Sequence, residues 1–197
     1  MKKIVIFPDD KPFNPRECGN NLGTIVCYPN RDDIGDDATD RAVLDFQEKW
    51  NDKNAVILPL FLMDHSGLTL STSPDIFRAV DQHGCDWGQI GFIFVSHENI
   101  KKEYGKINSE TIRMATETLL SEVKEYSTYL EGGVVAVALF NDDTLEDELF
   151  GIYADTIEEI IAIARNNFGD FDEVYNMNMA RISPFFEDIP KDQLSLY

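Results

Sequence analysis

Apolar residues in this chain fall in short runs separated by polar, turn-rich segments. KIVIF (3–7), GTIVCY (23–28), QIGFIFVS (89–96) and VVAVALF (134–140) have the length and β-branched content of strands. NAVILPLFLM (54–63) is apolar throughout, which predicts a central strand buried on both faces. Pro59 inside it predicts a bulge or an edge position. Three stretches repeat instead every three or four residues. DRAVLDFQEKW (40–50) carries Val43, Phe46 and Trp50 on one side, with Asp37, Thr39 and Asp40 as candidate N-caps. NSETIRMATETLLSEVKEYSTYLEG (108–132) carries Ile112, Ala115, Leu119, Val123, Tyr126 and Leu130, begins at Asn108 or Ser109, and stops at Gly132. DTIEEIIAIARNNFG (155–169) carries Ile157, Ile160, Ile161 and Ala164, and spaces Thr156 and Glu159 as a capping box.

This alternation predicts an α/β or α+β fold, one globular domain over 1–197. Its mixed central sheet has about five strands, 3–7, 23–28, 55–63, 90–96 and 134–140, with helices near 40–50, 109–131 and 156–168 packed on it. Residues 170–197 have no settled period and read as a less regular C-terminal segment. A chain of 197 residues buries roughly 70% of its unfolded surface without staples. Pro8, Asp9 and Asp10 end the first apolar run too early for a signal peptide. No apolar run nears the roughly 20 residues that cross a bilayer. Cys18, Cys27 and Cys85, an odd and sparse set, predict free thiols in a reducing cytoplasm.

Charge adds the strongest compositional signal. There are 36 acidic and 17 basic side chains, a formal net charge of -19. Direct binding to nucleic acid is disfavoured, because that affinity comes from Lys and Arg displacing counterions. The carboxylates cluster: Asp32, Asp33, Asp36, Asp37 and Asp40; Asp142, Asp143, Glu146, Asp147 and Glu148; and Asp170, Asp172 and Glu173. Held on a rigid scaffold, such clusters would meet a basic nucleic-acid-binding protein as phosphates do. A calcium loop needs alternating acidic ligands around a central Gly, which DDIGDDATD lacks. Cys27, His65, His83 and Cys85 lack paired zinc spacing, so no metal and no cofactor is expected.

One polar motif follows an apolar run. FLMDHSGLTL (61–70) places Asp64, His65 and Ser66 at a strand end. His65 could serve as a general base oriented by Asp64 or Asp36, with Cys85 or Ser66 as nucleophile. DQHGCDWGQIGF (81–92) places His83 near Cys85, and Gln89 where its amide could donate to an oxyanion. The same residues also read as an Asx turn and a small buried thiol. The pocket expected from this arrangement is Asn21, Cys27, Ser66, Trp87 and Gln89 around the turn.

NPRECGNNLGTIVCY followed by GDD, PLFLMDHSGLTLSTSP, CDWGQIGFIFVS and KKEYG together resemble a family of uncharacterised bacteriophage and mobile-element proteins, in order over roughly residues 14 to 105. The resemblance implies a setting, a bacterial host cytoplasm, and no particular chemistry. Two departures stand out: Tyr28 and Pro29 follow Cys27, and the segment from Cys85 to Gln89 is two residues shorter than that family's pattern.

These readings predict an acidic binding protein that inhibits a host nucleic-acid-binding defence system by nucleic-acid mimicry. Its partner would be a basic protein, without direct contact to nucleic acid or membrane, and homo-oligomerisation is left open. The carboxylates Asp32, Asp33, Asp36, Asp37, Asp142, Asp143, Glu146, Asp147 and Glu148 would carry the binding. The alternatives are a Cys/His hydrolase or transferase built on Asp64, His65 and Cys85, and an accessory protein whose acidity only confers solubility.

Overall fold

In the computed structural model, which describes residues 1–29, 32–65 and 67–177, the apolar runs become strands of two sheets rather than one. The elements run β1 (Lys2–Pro8), β2 (Thr24–Cys27), α1 (Ala42–Lys49), β3 (Ala55–Asp64), β4 (Leu68–Ser71), α2 (Asp75–Val80), β5 (Trp87–Ser96), α3 (His97–Tyr104), α4 (Ser109–Leu130), β6 (Val135–Asn141), β7 (Thr144–Ile152), α5 (Ile157–Phe168) and β8 (Glu173–Asn176). The mixed α/β class stands; the single five-stranded sheet does not. The strand orders are β7-β6-β1-β8 and β2-β5-β3-β4. The chain divides into a terminal unit, Met1–Pro12 with Gly132–Tyr197, and an inserted unit, Phe13–Glu131.

In the terminal unit, β1 pairs antiparallel with β6 and parallel with β8. Alternation along β1 sends Ile4 and Ile6 to one face, where Val137 and Leu139 of β6 join them. α5 lays Ile160 and Ala164 on that face. Thr156 caps α5 by accepting from the Glu159 amide at 3.2 Å, while the Glu159 carboxylate accepts from Asp155. β8 lies inside the segment expected to be less regular; the rest of that segment, 178–197, lies outside the described residues.

In the inserted unit, β3 and β5 form the long central pair. α4 packs Ala115, Leu119, Val123 and Tyr126 onto Ile25, Leu60, Leu70 and Ile93. Asn108 and Thr111 form its capping box. α1 covers the other face, where Phe46 stacks on Phe92 at 5.1 Å and touches Phe94, which also meets Trp50. α1 starts one residue later than the expected caps, after Arg41, and no side chain caps it. Pro59 sits just before the register shift between Leu60 and Phe61, where β5 carries the extra residue Ile90, and outside the stretch that pairs with β4, so its missing N–H costs little. The outer edge of β2 is covered by the loop at 34–37, through Cys27 N donating to Asp37 O and Asp36 N to Ile25 O. The outer edge of β4 is met by α4, where the Leu70 amide donates to Ser127 Oγ at 2.8 Å.

Candidate functional site

Three polar constellations organise the described surface. The first is a buried ion network in the inserted unit. Arg16, 5% exposed, sends Nε and Nη2 to the two Asp36 oxygens, Nη1 to Glu122 Oε2 at 3.1 Å, and Nη2 to Gly23 O at 2.8 Å. Glu122 also accepts from the Leu22 amide at 2.6 Å and the Gly23 amide at 3.1 Å, and Asp36 from the Ile25 amide at 2.8 Å. Burial works to lower the Arg16 pKa, but the hydrogen bonds and charges of Asp36 and Glu122 outweigh it and raise the pKa. A Cβ on Gly23 would collide with Leu119 and crowd Glu122, so the backbone must stay bare for the carboxylate to reach it. This network ties the arm before β2 to α4. Asp36 is its most solvent-exposed member, and its bonds to Arg16 and the Ile25 amide hold the arm against the sheet.

The second constellation is the turn pair 64–67 and 81–87. Asp81 accepts four backbone amides, from His83, Gly84, Cys85 and Asp86, at 2.6–3.2 Å. Those bonds, led by Asp86, hold its carboxyl below the ordinary range. The Trp87 indole donates to Asp81 O at 2.9 Å, and its ring meets Phe61 and Phe77. His65 Nδ1 lies 2.8 Å from Asp86 Oδ2, and Asp64 N donates to Asp86 O. The imidazole's partner is therefore Asp86, not Asp64 or Asp36. Its side chain is 64% exposed.

The expected pocket is not assembled. Cys27 is fully buried on the α4 side of the sheet, where burial and then Asp36 push its thiol up to about 12. Trp87 and Gln89 face the other side of the same sheet, as the β3–β5 register with Phe61 requires. Asn21 donates to Pro15 O, and Gln89 to Gly91 O, so neither amide is aimed at the turn. Ser66 lies outside the described residues. Cys85 is exposed beside Asp86, as is His83 within the same loop. Among the described residues no group of His, Cys, Asp and Glu is placed to hold a metal, and no helix is long and apolar enough to cross a membrane.

The third constellation is the β6–β7 hairpin of the terminal unit. Asp142 and Asp143 form its two-residue turn, with Asp142 at φ 52°. Residues 142–148 are all exposed, so β7 is open on both faces over this stretch. Three of the carboxylates meet cations: Asp142 the amino group of Met1 at 2.8 Å, Asp143 Lys3 at 3.3 Å, and Glu146 Lys2 at 3.4 Å. The hydrogen bond from the Met1 amino group holds Asp142 below the ordinary carboxylate range. Asp147 and Glu148 pair with no cation among the described residues. The other acidic cluster is divided. Asp36 belongs to the Arg16 network and Asp37 accepts from the Thr39 amide; Asp32, Asp33, Asp37 and Asp40 are exposed.

Sequence reasoning missed Arg16, Glu122, Asp81 and Asp86. Glu122 had a signal: it stands three residues after Leu119 and four before Tyr126, on the apolar stripe of α4. No family model matches this chain, and neither a curated protein nor a solved structure matches it.

Proposed function

We propose that this protein is an acidic binding module that occupies the nucleic-acid-binding surface of a basic partner. The observation that supports this reading best is the hairpin at 142–148, five carboxylates within seven exposed residues on a rigid sheet edge. Glu146, Asp147 and Glu148 follow one another along β7. A strand rises about 3.4 Å per residue, and one DNA strand carries a charge per about 3.4 Å of axis. The linear charge density therefore resembles that of one DNA strand. In the setting that the sequence resemblance implies, the partner is a host defence protein, and occupation inhibits it.

The same carboxylates support a second role. β7 is an edge strand with two register shifts against β6, and its backbone amides at Glu148 and Gly151 are taken by Asp147 and Asp9. Charge, bulges and side-chain capping are ways to stop edge-to-edge aggregation. This is the specific content of the solubility reading, and it coexists with binding. The enzyme reading rests on the His65–Asp86 contact alone.

The test is capture from a bacterial lysate at 50 and 200 mM salt, with and without competing DNA. The wild type is compared with Asp142→Asn, Asp143→Asn, Glu146→Gln, Asp147→Asn and Glu148→Gln combined. The wild type retains a basic nucleic-acid-binding protein at low salt and releases it to DNA or high salt, since screening shortens to about 8 Å near 0.15 M. The neutralised variant, folded by circular dichroism, retains none. Equal retention by the variant, or indifference to salt, overturns the proposal and leaves the acidity as an edge guard.

A further inference from the structure

We propose that the buried Arg16 network is a clasp on the two ends of the inserted unit, and that through it the folded insertion sets the stability of the terminal sheet. The chain order poses the problem. The chain leaves the terminal unit after Pro12 and returns at Gly132, so β1 and β6, neighbours in one sheet, are separated by the whole of residues 13–131. Their ladder runs from Lys2–Asn141 to Pro8–Val135, and Asp9 N extends it by donating to Val134 O at 3.0 Å. Between that last pair and the inserted unit lie only residues 10–12 and 132–133.

The inserted unit holds its own ends together. Arg16 stands near its start, and Glu122 on α4, its last helix. Arg16 Nη1 donates to Glu122 Oε2 at 3.1 Å, and the Leu22 and Gly23 amides donate to the same carboxylate. The arm is also fixed locally, since Asn14 accepts the Arg16 amide and Asn21 donates to Pro15 O. α4 continues to Leu130, and just beyond it the Glu131 carboxylate takes the Ser127 hydroxyl at 2.9 Å. A buried ion pair adds no more stability than apolar side chains of equal volume. What distinguishes this one is its place, joining the first segment of the insertion to the last.

Closing a flexible loop costs about threefold in equilibrium for each doubling of its length. With the insertion folded, β1 meets β6 across a joint of about 5 residues; with it unfolded, across about 120. The folded insertion therefore favours the terminal sheet about a hundredfold. Reciprocity makes the sheet favour the insertion by the same factor. The hairpin at 142–148 belongs to that sheet, so its presentation follows the state of the inserted unit. The coupling does not depend on what the hairpin binds.

The test uses the full chain. Tryptophan fluorescence reports the inserted unit, and hydrogen exchange of the β6 amides reports the terminal one. A Gly/Ser linker of about 20 residues placed between Pro12 and Phe13 speeds β6 exchange about tenfold without denaturant. The same linker in the exposed turn at 51–53 leaves β6 exchange unchanged, because that turn lies inside the insertion. Arg16→Ala, with the inserted unit still folded by fluorescence, speeds β6 exchange about fivefold, because the arm before β2 joins the free joint. If that variant unfolds the inserted unit, Arg16→Lys, which keeps the charge and loses the fork, takes its place with the same expectation. Leu119→Ala weakens the inserted core. In urea that unfolds only its inserted unit, its β6 amides exchange about a hundredfold faster than those of the wild type. Unchanged exchange with the linker at 12–13, or equal acceleration by the linker at 51–53, overturns the coupling. An active linker at 12–13 with an inert Arg16 substitution overturns the clasp.

Discussion

Removing the Glu122 carboxylate should unfold the inserted unit more readily than any surface change of equal size. Glu122 is 9% exposed and accepts from Leu22 N, Gly23 N and Arg16. Glu122→Ala leaves two backbone donors without an acceptor and a buried guanidinium with Asp36 as its one carboxylate. Each orphaned buried donor costs about 1–3 kcal/mol, and breaking a buried ion pair from one side costs about 3–5 kcal/mol in total. These overlap, so about 4 kcal/mol is the expected loss, a large part of the roughly 5–15 kcal/mol a domain has. With a urea slope of about 2 kcal/mol/M, the midpoint falls by about 2 M. Trp50 and Trp87 both lie in the inserted unit, so tryptophan fluorescence reads that unit by itself. Arg16→Met with Glu122→Leu should lose much less than the sum of the single variants, because both charges leave together. A loss below about 1 kcal/mol for Glu122→Ala, or strict additivity in the double variant, would refute the reasoning.

Two further predictions concern titration and thiol reactivity. The Asp81 carboxyl is held below its ordinary value of 3.8, so its stabilising contribution is present above that pH and lost as pH falls through the folded value; the stability gap between wild type and Asp81→Ala should hold from pH 7 to about 4 and close below it, and a gap that widens on acidification would contradict this. Cys18 and Cys85 should react with a thiol reagent at pH 8 in the folded protein, while Cys27, buried with its thiol pushed up to about 12, reacts only after denaturation; labelling of Cys27 at the rate of Cys85 would show that the α4 face of the sheet is open.

Local periodicity was legible, and the partition between sheets was not. α4 and α5 fall where their apolar spacing placed them, since a 3.6-residue repeat specifies both the element and its buried face. A strand's apolar run specifies burial but not the neighbour. Nothing local in KIVIF indicates that it pairs with VVAVALF, over 125 residues away, rather than with GTIVCY. β7 escaped for a different reason. TLEDELFGI is open on both faces over its first half, so it lacks the alternation of a half-buried strand. Its signal was the two-residue turn Asp142–Asp143, because Asp tolerates the left-handed backbone that a tight hairpin needs. The glycines were informative without a period. Gly23 and Gly91 stand in two of the motifs that carry the family resemblance, and a Cβ on Gly91 would overlap the Val26 carbonyl across the β2–β5 pair. Gly67, in PLFLMDHSGLTLSTSP, and Gly88, in the motif of Gly91, have open space around them. Gly23 and Gly91 thus have a packing explanation, whereas Asp64 and His65 lie in an exposed polar turn.

That division changes what the net charge means. Counted in the sequence, 36 carboxylates look like one acidic surface. In the fold they do different things. Glu122 and Asp36 neutralise a buried arginine, Asp81 closes a loop on four amides, Asp86 holds His65, and Asp9 caps Gly151 on the β7 edge. A carboxylate already bonded to backbone or to a cation gains little from a second cation, because the new contact must repay the loss of the old one. Three of the five hairpin carboxylates also face cations, but these are exposed pairs that contribute little, and a partner's arginine can displace them. Asp147 holds the Glu148 amide, while Glu148 pairs with no cation among the described residues. Within the hairpin the carboxylates form a short segment of one strand, so a basic surface matched to them would be limited by the length of β7.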